Sequence, residues 1–226
     1  MKKLLITGFA PFGGEEINPS WEAVRALPDK IGEYELTKLC LPVVFGEAAK
    51  IAIAEAEKIR ADVVLSIGQA GGREAVTPEL LGINLKNATI PDNEGNQPKD
   101  EPIISGGAAA YFSSLPARKM SEAISAAGIP SRLSYSAGAY VCNELLYSLL
   151  RHFDCGENAN ENGGEDRQSA EKSTREKCNE NGGENGRKVR VGFIHVPYIP
   201  EQGKTPSMSL DDIKIALKIA IENLDK

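Results

Sequence analysis

Apolar and polar positions along this chain follow two periods in alternation. Residues 2–7, 35–42, 62–67 and 189–196 read as strands, and the β-branched run 62–67 has the composition of a strand buried on both faces. Residues 80–85 and 132–135 are two further short strand candidates. Between these runs, apolar residues recur at helical spacing over 47–60, 117–127, 141–153 and 210–224. A fifth helix starts at Asn18-Pro19-Ser20 and runs to about residue 27, since Asn is a favoured N-cap and Pro suits the first helical turn. Pro and Gly break regular structure in Phe9-Ala10-Pro11-Phe12-Gly13-Gly14, in the turn from Gly68 to Gly72 and at Ala137-Gly138-Ala139. The polar stretch 89–102 reads as an exposed loop.

Strand–helix alternation predicts an α/β fold: a single-domain, three-layer α/β/α sandwich over 1–226 with a mostly parallel central sheet. Ligand sites in such sheets lie at the carboxyl ends of the strands, where the glycine turns fall. The segment 154–188 stands apart. It has no Leu, Ile, Val, Met or aromatic residue, and Asn-Glu-Asn-Gly-Gly-Glu occurs in it twice, at 160–165 and 179–184. With so little apolar area to offset ordering entropy it is expected to be a disordered loop insertion. Cys155 and Cys178 each precede one copy of the repeat and are read as inert.

Composition narrows the function. The 226 residues include 26 Lys and Arg against 32 Asp and Glu, a net charge of -6, which disfavours nucleic-acid binding. No run reaches the roughly 18 apolar residues of a membrane span, and the apolar run after Met1 ends too early for a secretory signal. A cytoplasmic protein with reduced thiols and no membrane partner is expected. The cysteines show no Cys-x-x-Cys spacing, so no metal site is expected.

The candidate chemistry rests on few residues. Cys142 sits at the first turn of a predicted helix, where partial positive charge favours a thiolate. Cys40, inside an apolar strand, is read as buried and inert. The chain has two histidines. His152 lies ten residues along the Cys142 helix, about 15 Å away at 1.5 Å per residue, and cannot reach the thiol. His195, near the carboxyl end of a strand, is then the base if Cys142 is a nucleophile with a histidine partner. Glu79, Asp62 and Asp92 are all open as the carboxylate that orients the imidazole. The aromatics Phe9 and Phe12, held in a Gly/Pro loop, can line a small apolar slot. The turn Gly68-Gln69-Ala70-Gly71-Gly72-Arg73 matches no nucleotide-binding motif.

These residues, with others in order, resemble the pyroglutamyl peptidase I (pyrrolidone-carboxylate peptidase) family. The likeness is carried by Gly8 to Gly14 with Asn18-Pro19-Ser20, by Leu41-Pro42-Val43, by Gly68 to Arg73 and by Thr77-Pro78-Glu79. It continues in Ile90-Pro91-Asp92-Asn93, Glu101-Pro102-Ile103, Tyr111-Phe112-Ser113 and Ser136-Ala137-Gly138. Tyr140-Val141-Cys142-Asn143 and Gly192-Phe193-Ile194-His195-Val196-Pro197 complete it. The resemblance implies a cofactor-free cysteine peptidase, often a homotetramer, that removes N-terminal pyroglutamate from peptides. It implies a triad of Glu79, Cys142 and His195. It also implies a pocket walled by Phe9, Phe12, Ile90, Tyr140 and Val141, with Asn18 and Gln69 as polar contacts. The chain departs from the family at Leu80 and Thr89, where Arg is usual, at Tyr140, where Phe is expected, and in its 154–188 insertion. Two rival readings are a non-catalytic pyroglutamyl-binding homologue and a nucleoside-phosphorylase-like enzyme using Arg73 for phosphate.

Overall fold

A computed structural model of the chain describes residues 1–154 and 188–225. The predicted insertion 154–188, with Cys155 and Cys178, lies almost wholly outside them. Six strands form one sheet: β1 (Lys2–Phe9), β2 (Lys30–Ile31), β3 (Tyr34–Leu41), β4 (Val63–Gln69), β5 (Thr77–Glu79) and, after a separate two-stranded ribbon of β6 (Leu81–Ile83) and β7 (Ala110–Phe112), β8 (Arg190–Val196). The order across the sheet is β2-β3-β1-β4-β8-β5. The four central strands are mutually parallel; β2 and β5 run antiparallel at the edges.

Among the described residues five helices cover the sheet: α1 (Pro19–Ala26), α2 (Glu47–Ile59), α3 (Ala117–Ala126), α4 (Val141–Asp154) and α5 (Leu210–Glu222). Residues of α1, α3 and α5 pack on one face with Ile6, Leu65 and Ile194; those of α2 and α4 pack on the other with Leu5, Val64 and Phe193. The two cores follow from the pleat, since successive residues of a buried strand point to opposite faces and both must be apolar. This is the expected α/β/α sandwich.

Local chemistry sets the element ends. Asn18 accepts from Ser20 N (3.1 Å) and caps α1 behind Pro19. Ser209 caps α5 through Asp212 N (3.1 Å). Two expected boundaries move. The sequence places strand ends at Gly8 and Gly68, yet β1 and β4 continue to Phe9 and Gln69. Both glycines mark close approach rather than termination: a Cβ on Gly8 would lie 2.7 Å from Trp21 Cα, and one on Gly68 2.9 Å from Cys142 Sγ. The expected strand at 132–135 is absent; Ser131 and Ser134 make isolated bridges beside β5 instead. Cys40 is exposed on β3, not buried.

The chain enters at β1, moves to β3 on one side and to β4 on the other, so β1 and β4 flank the switch in winding direction. A crevice opens outside the carboxyl ends of strands at such a point. Phe9 and Gln69 end these two strands.

Candidate active site

A cavity of about 170 Å³ lies at that switch point, lined by Phe9, Phe12, Asn18, Val43, Gln69, Ala70, Arg73, Ala137, Tyr140, Cys142 and His195. It is smaller than the roughly 300–1,000 Å³ of pockets for drug-sized ligands, and suits one small ring.

Cys142 is the second residue of α4, and its sulfur packs against the bare backbone of Gly68. His195 is the penultimate residue of β8 and is 4% exposed. Its neighbour in register on β4 is Gly68, so the space a side chain would fill is left to the thiol. Glu79 comes from β5, which pairs Thr77 with His195 and Glu79 with Phe193. Glu79 and His195 are therefore diagonal neighbours on one face, a separation that two long side chains bridge. His195 Nδ1 and Glu79 Oε1 are 2.8 Å apart. With Nδ1–H donating to the carboxylate, Nε2 is left as the acceptor. The other carboxylates work elsewhere. Asp62 accepts from Lys3 N (2.7 Å), and Asp92 accepts from the backbone N–H groups of Phe45, Glu94 and Asn96. His152 meets Glu57 on α2 at 2.8 Å.

Burial dominates the electrostatics. It pushes the Cys142 thiol up to about 12, reinforced by the negative charge of Glu79; Arg73 and the residue's own backbone N–H pull the other way without prevailing. The helix N-terminus therefore does not make a resting thiolate, as position alone suggested. His195 is held below its ordinary value, mainly by burial, with Glu79 opposing and Arg73 assisting. Burial pushes Glu79 up, but hydrogen bonds from His195 and Arg73, with Ser134 near, hold it below the usual carboxylate range. The resting site holds a thiol, a neutral imidazole and an ionised carboxylate.

Among residues the resemblance assigned to the pocket, Phe9, Phe12, Asn18, Gln69 and Tyr140 line the cavity. Ile90 and Val141 do not. Ile90 is 44% exposed above Gly13, and Val141 is fully buried between α4 and the sheet. Asn18 spends most of its amide on structure, accepting from Ser20 N and Oγ and donating to Ala10 O. The Gln69 side chain accepts from Gln202 Nε2 at 2.9 Å. The Tyr140 hydroxyl, extra relative to Phe, donates to Pro91 O at 3.0 Å and ties the 89–98 loop to the cavity wall. Val43, Ala70 and Ala137 complete the lining; as small apolar residues in turns they gave no chemical signal in sequence. The sequence offers Arg73 only as a candidate phosphate ligand. Its Nη1 donates to Glu79 Oε1 (2.6 Å) and Thr77 Oγ1 (2.5 Å). Thr89 is exposed, and Leu80 N bonds Ser134 O at 2.8 Å. Among the described residues no group of three or more His, Cys, Asp or Glu is arranged for a metal, and no helix is long and apolar enough to cross a membrane.

A doubly wound α/β sandwich with a thiol, an imidazole and a buried carboxylate converging at its strand ends defines a hydrolase of the cysteine type. The comparisons with known proteins make the class specific. The pyroglutamyl peptidase family profile matches residues 2–163 and 178–226. The pyrrolidone-carboxylate peptidase of Staphylococcus saprophyticus is 46% identical over 224 residues, covering 97% of this chain and 92% of its own. That of Lactobacillus helveticus is 40% identical over 225 residues, covering 97% of each chain. Among solved structures, pyroglutamyl peptidase I of Bacillus amyloliquefaciens superposes with a TM-score of 0.82 at 41% identity, covering 99% of this chain and 97% of that one. The pyrrolidone carboxyl peptidase of Thermococcus litoralis gives 0.80 at 32% identity, covering 99% and 93%. The chain belongs to the pyroglutamyl peptidase family and is a cysteine-type omega-peptidase hydrolase.

Proposed function

We propose that this protein hydrolyses the amide bond after an N-terminal pyroglutamyl residue of peptides, with Cys142 as nucleophile, His195 as base and Glu79 as the group that orients it. The observation that carries the reading is the 2.8 Å contact of His195 Nδ1 with the buried Glu79, beside a thiol that opens on the same small cavity.

The lactam ring lies between Phe9, Phe12 and Tyr140. A pyroglutamyl ring is neutral, whereas an N-terminal glutamine carries an ammonium that this slot has no carboxylate to receive, so glutamine is rejected. Sγ attacks the carbonyl carbon as its proton passes to His195 Nε2. Glu79 steadies the imidazolium that forms. The backbone N–H of Cys142, with those of nearby turn residues, stabilises the developing oxyanion. The C–N bond breaks as His195 protonates the leaving amine, leaving a thioester on Cys142. Water, deprotonated by His195, then cleaves the thioester and frees pyroglutamate.

No step uses a cofactor. Arg73, committed to Glu79 and Thr77, is not free to hold phosphate, which weighs against the phosphorylase reading. A cytoplasmic setting suits the free thiols of Cys40 and Cys142. A homotetramer, as the family resemblance implies, would give four times the chain mass by light scattering.

The test is fluorophore release from pyroglutamyl-7-amido-4-methylcoumarin. Wild-type turnover is expected, lowered at least about 10³-fold in Cys142→Ala. Wild-type rates in that variant, or no turnover by folded wild type, would defeat the reading.

A further inference from the structure

Glu79 is fully buried and yet ionised, which poses a problem of its own. A neutral imidazole N–H is one donor, and a carboxylate at 0% exposure needs more compensation than that. Ser134 assists, and among the described residues the one further charged donor is Arg73. Its Nη1 sits 2.6 Å from Glu79 Oε1, the same oxygen that receives His195 Nδ1, while Oε2 is buried with no partner. Arg73 is itself anchored at three points: Glu79, Thr77 Oγ1 at 2.5 Å, and Ser136 O, reached by Nη2 at 3.4 Å. These acceptors lie on β5 and on the segment leading to Cys142. The guanidinium, a quarter exposed, thus staples the turn after β4 to both elements flanking the reactive groups.

We propose that Arg73 is a positioning residue of this site, locking the Glu79 carboxylate on Oε1 and through it the tautomer and orientation of His195. The inference rests on the proposed reading of Cys142, His195 and Glu79. Without Arg73 the carboxylate can turn either oxygen to the imidazole, and the side-chain tie from the pair to Ser136 O is lost, leaving the backbone bonds of Pro78 and Leu80 to Ser134. The charge matters as well. The charged and titratable groups acting on His195 are Glu79 from β5 and Arg73 from the turn after β4, with the thiol of Cys142 from α4 beside them. Glu79 favours the imidazolium and Arg73 opposes it. Loss of the guanidinium leaves the Glu79 charge unopposed and makes His195 easier to protonate, which removes the base at mildly acid pH.

The experiment compares wild type, Arg73→Gln and Arg73→Lys. One readout is kcat/KM for pyroglutamyl-7-amido-4-methylcoumarin from pH 5 to 9. The other is the titration of His195 followed by the imidazole carbon-bound proton in NMR. The chain has only two histidines, so His152→Gln assigns the signals. Arg73→Gln is expected to lower kcat roughly 10- to 100-fold with KM nearly unchanged. It should also move the acid limb and the His195 titration to higher pH. Arg73→Lys keeps the charge and loses the fork, so its titration stays near wild type while kcat still falls. An unchanged His195 titration in folded Arg73→Gln overturns the inference. If Arg73→Gln does not fold, wild-type kcat in Arg73→Lys overturns it and a lowered kcat supports it. The NMR arm needs no turnover, so a wild type inactive on this substrate would defeat the proposed function while leaving the role of Arg73 decided by the titration.

Discussion

At the scale of the residue, the candidate base is legible from scarcity once Cys142 is taken as the nucleophile. With two histidines and one of them ten positions down the same helix as Cys142, His195 is the only imidazole free to meet the thiol. Protonation states are not legible, because they depend on burial that no local pattern encodes. The helix N-terminus favours a thiolate, but burial outweighs it and the resting thiol is neutral. The pH dependence follows from His195. Its folded value lies below 6.5, so the neutral base persists below the usual histidine range, and the acid limb of kcat/KM should fall below pH 6.5. Linkage has the matching sign. As pH falls through 6.5 the unfolded chain takes up the proton before the folded one, so the stability contributed by neutral His195 is lost toward acid. An acid limb above pH 7 would contradict this assignment.

At the scale of the element, the strands and helices that bury long apolar faces are read correctly from periodicity, and those that do not are missed. Thr77-Pro78-Glu79 is too short and too polar to register as a strand, and its proline points away from one. It is tolerated because β5 is an edge, where a missing N–H costs little. That short edge carries the carboxylate, so the site member hardest to choose in sequence sits on the element hardest to see. Two substitutions test how elements position the site. Gly68→Ala sets a Cβ 2.9 Å from Cys142 Sγ and 2.7 Å from Phe193 Cζ. It is expected to cost about 1–3 kcal/mol in urea denaturation and to lower turnover further than stability alone explains. Asn18→Ala removes the α1 cap and the tie to Ala10 O. Its expected cost is about 1 kcal/mol, or roughly 2–4 °C in Tm, with a raised KM because the Phe9–Phe12 loop loses its anchor.

At the scale of the whole molecule, residues near both termini meet at the amino ends of the strands, opposite the cavity. Asp225 accepts from Lys2 Nζ (2.9 Å), Tyr34 Oη (2.6 Å) and Arg190 Nη2 (2.6 Å), linking β1, β3 and β8 to the residues after α5. These donors hold its carboxyl down to about 2, against the opposing effect of burial. The stabilisation is present above the unfolded value near 3.8 and is lost as pH falls through about 2. Asp225→Asn is expected to cost roughly 1–2 kcal/mol at pH 6 after allowance for solvent screening, and almost nothing at pH 2. Urea midpoints at the two pH values check it; an equal loss at both would show that the carboxylate charge is not the cause.

The sequence by itself determined the order of elements, the α/β/α class and, by elimination, which histidine can serve a Cys142 nucleophile. Each of these rests on local periodicity or on the rarity of a residue type. The choice of Glu79 over Asp62 and Asp92 came from likeness to a family. Only the tertiary structure decided which carboxylate reaches His195, which side chains share the cavity, and that Arg73 serves Glu79 rather than a phosphate. The physical reason is distance along the chain. Glu79 and His195 are 116 positions apart, and an antiparallel edge pairing brings them to 2.8 Å. Burial then fixes their charges, and burial belongs to the packed molecule.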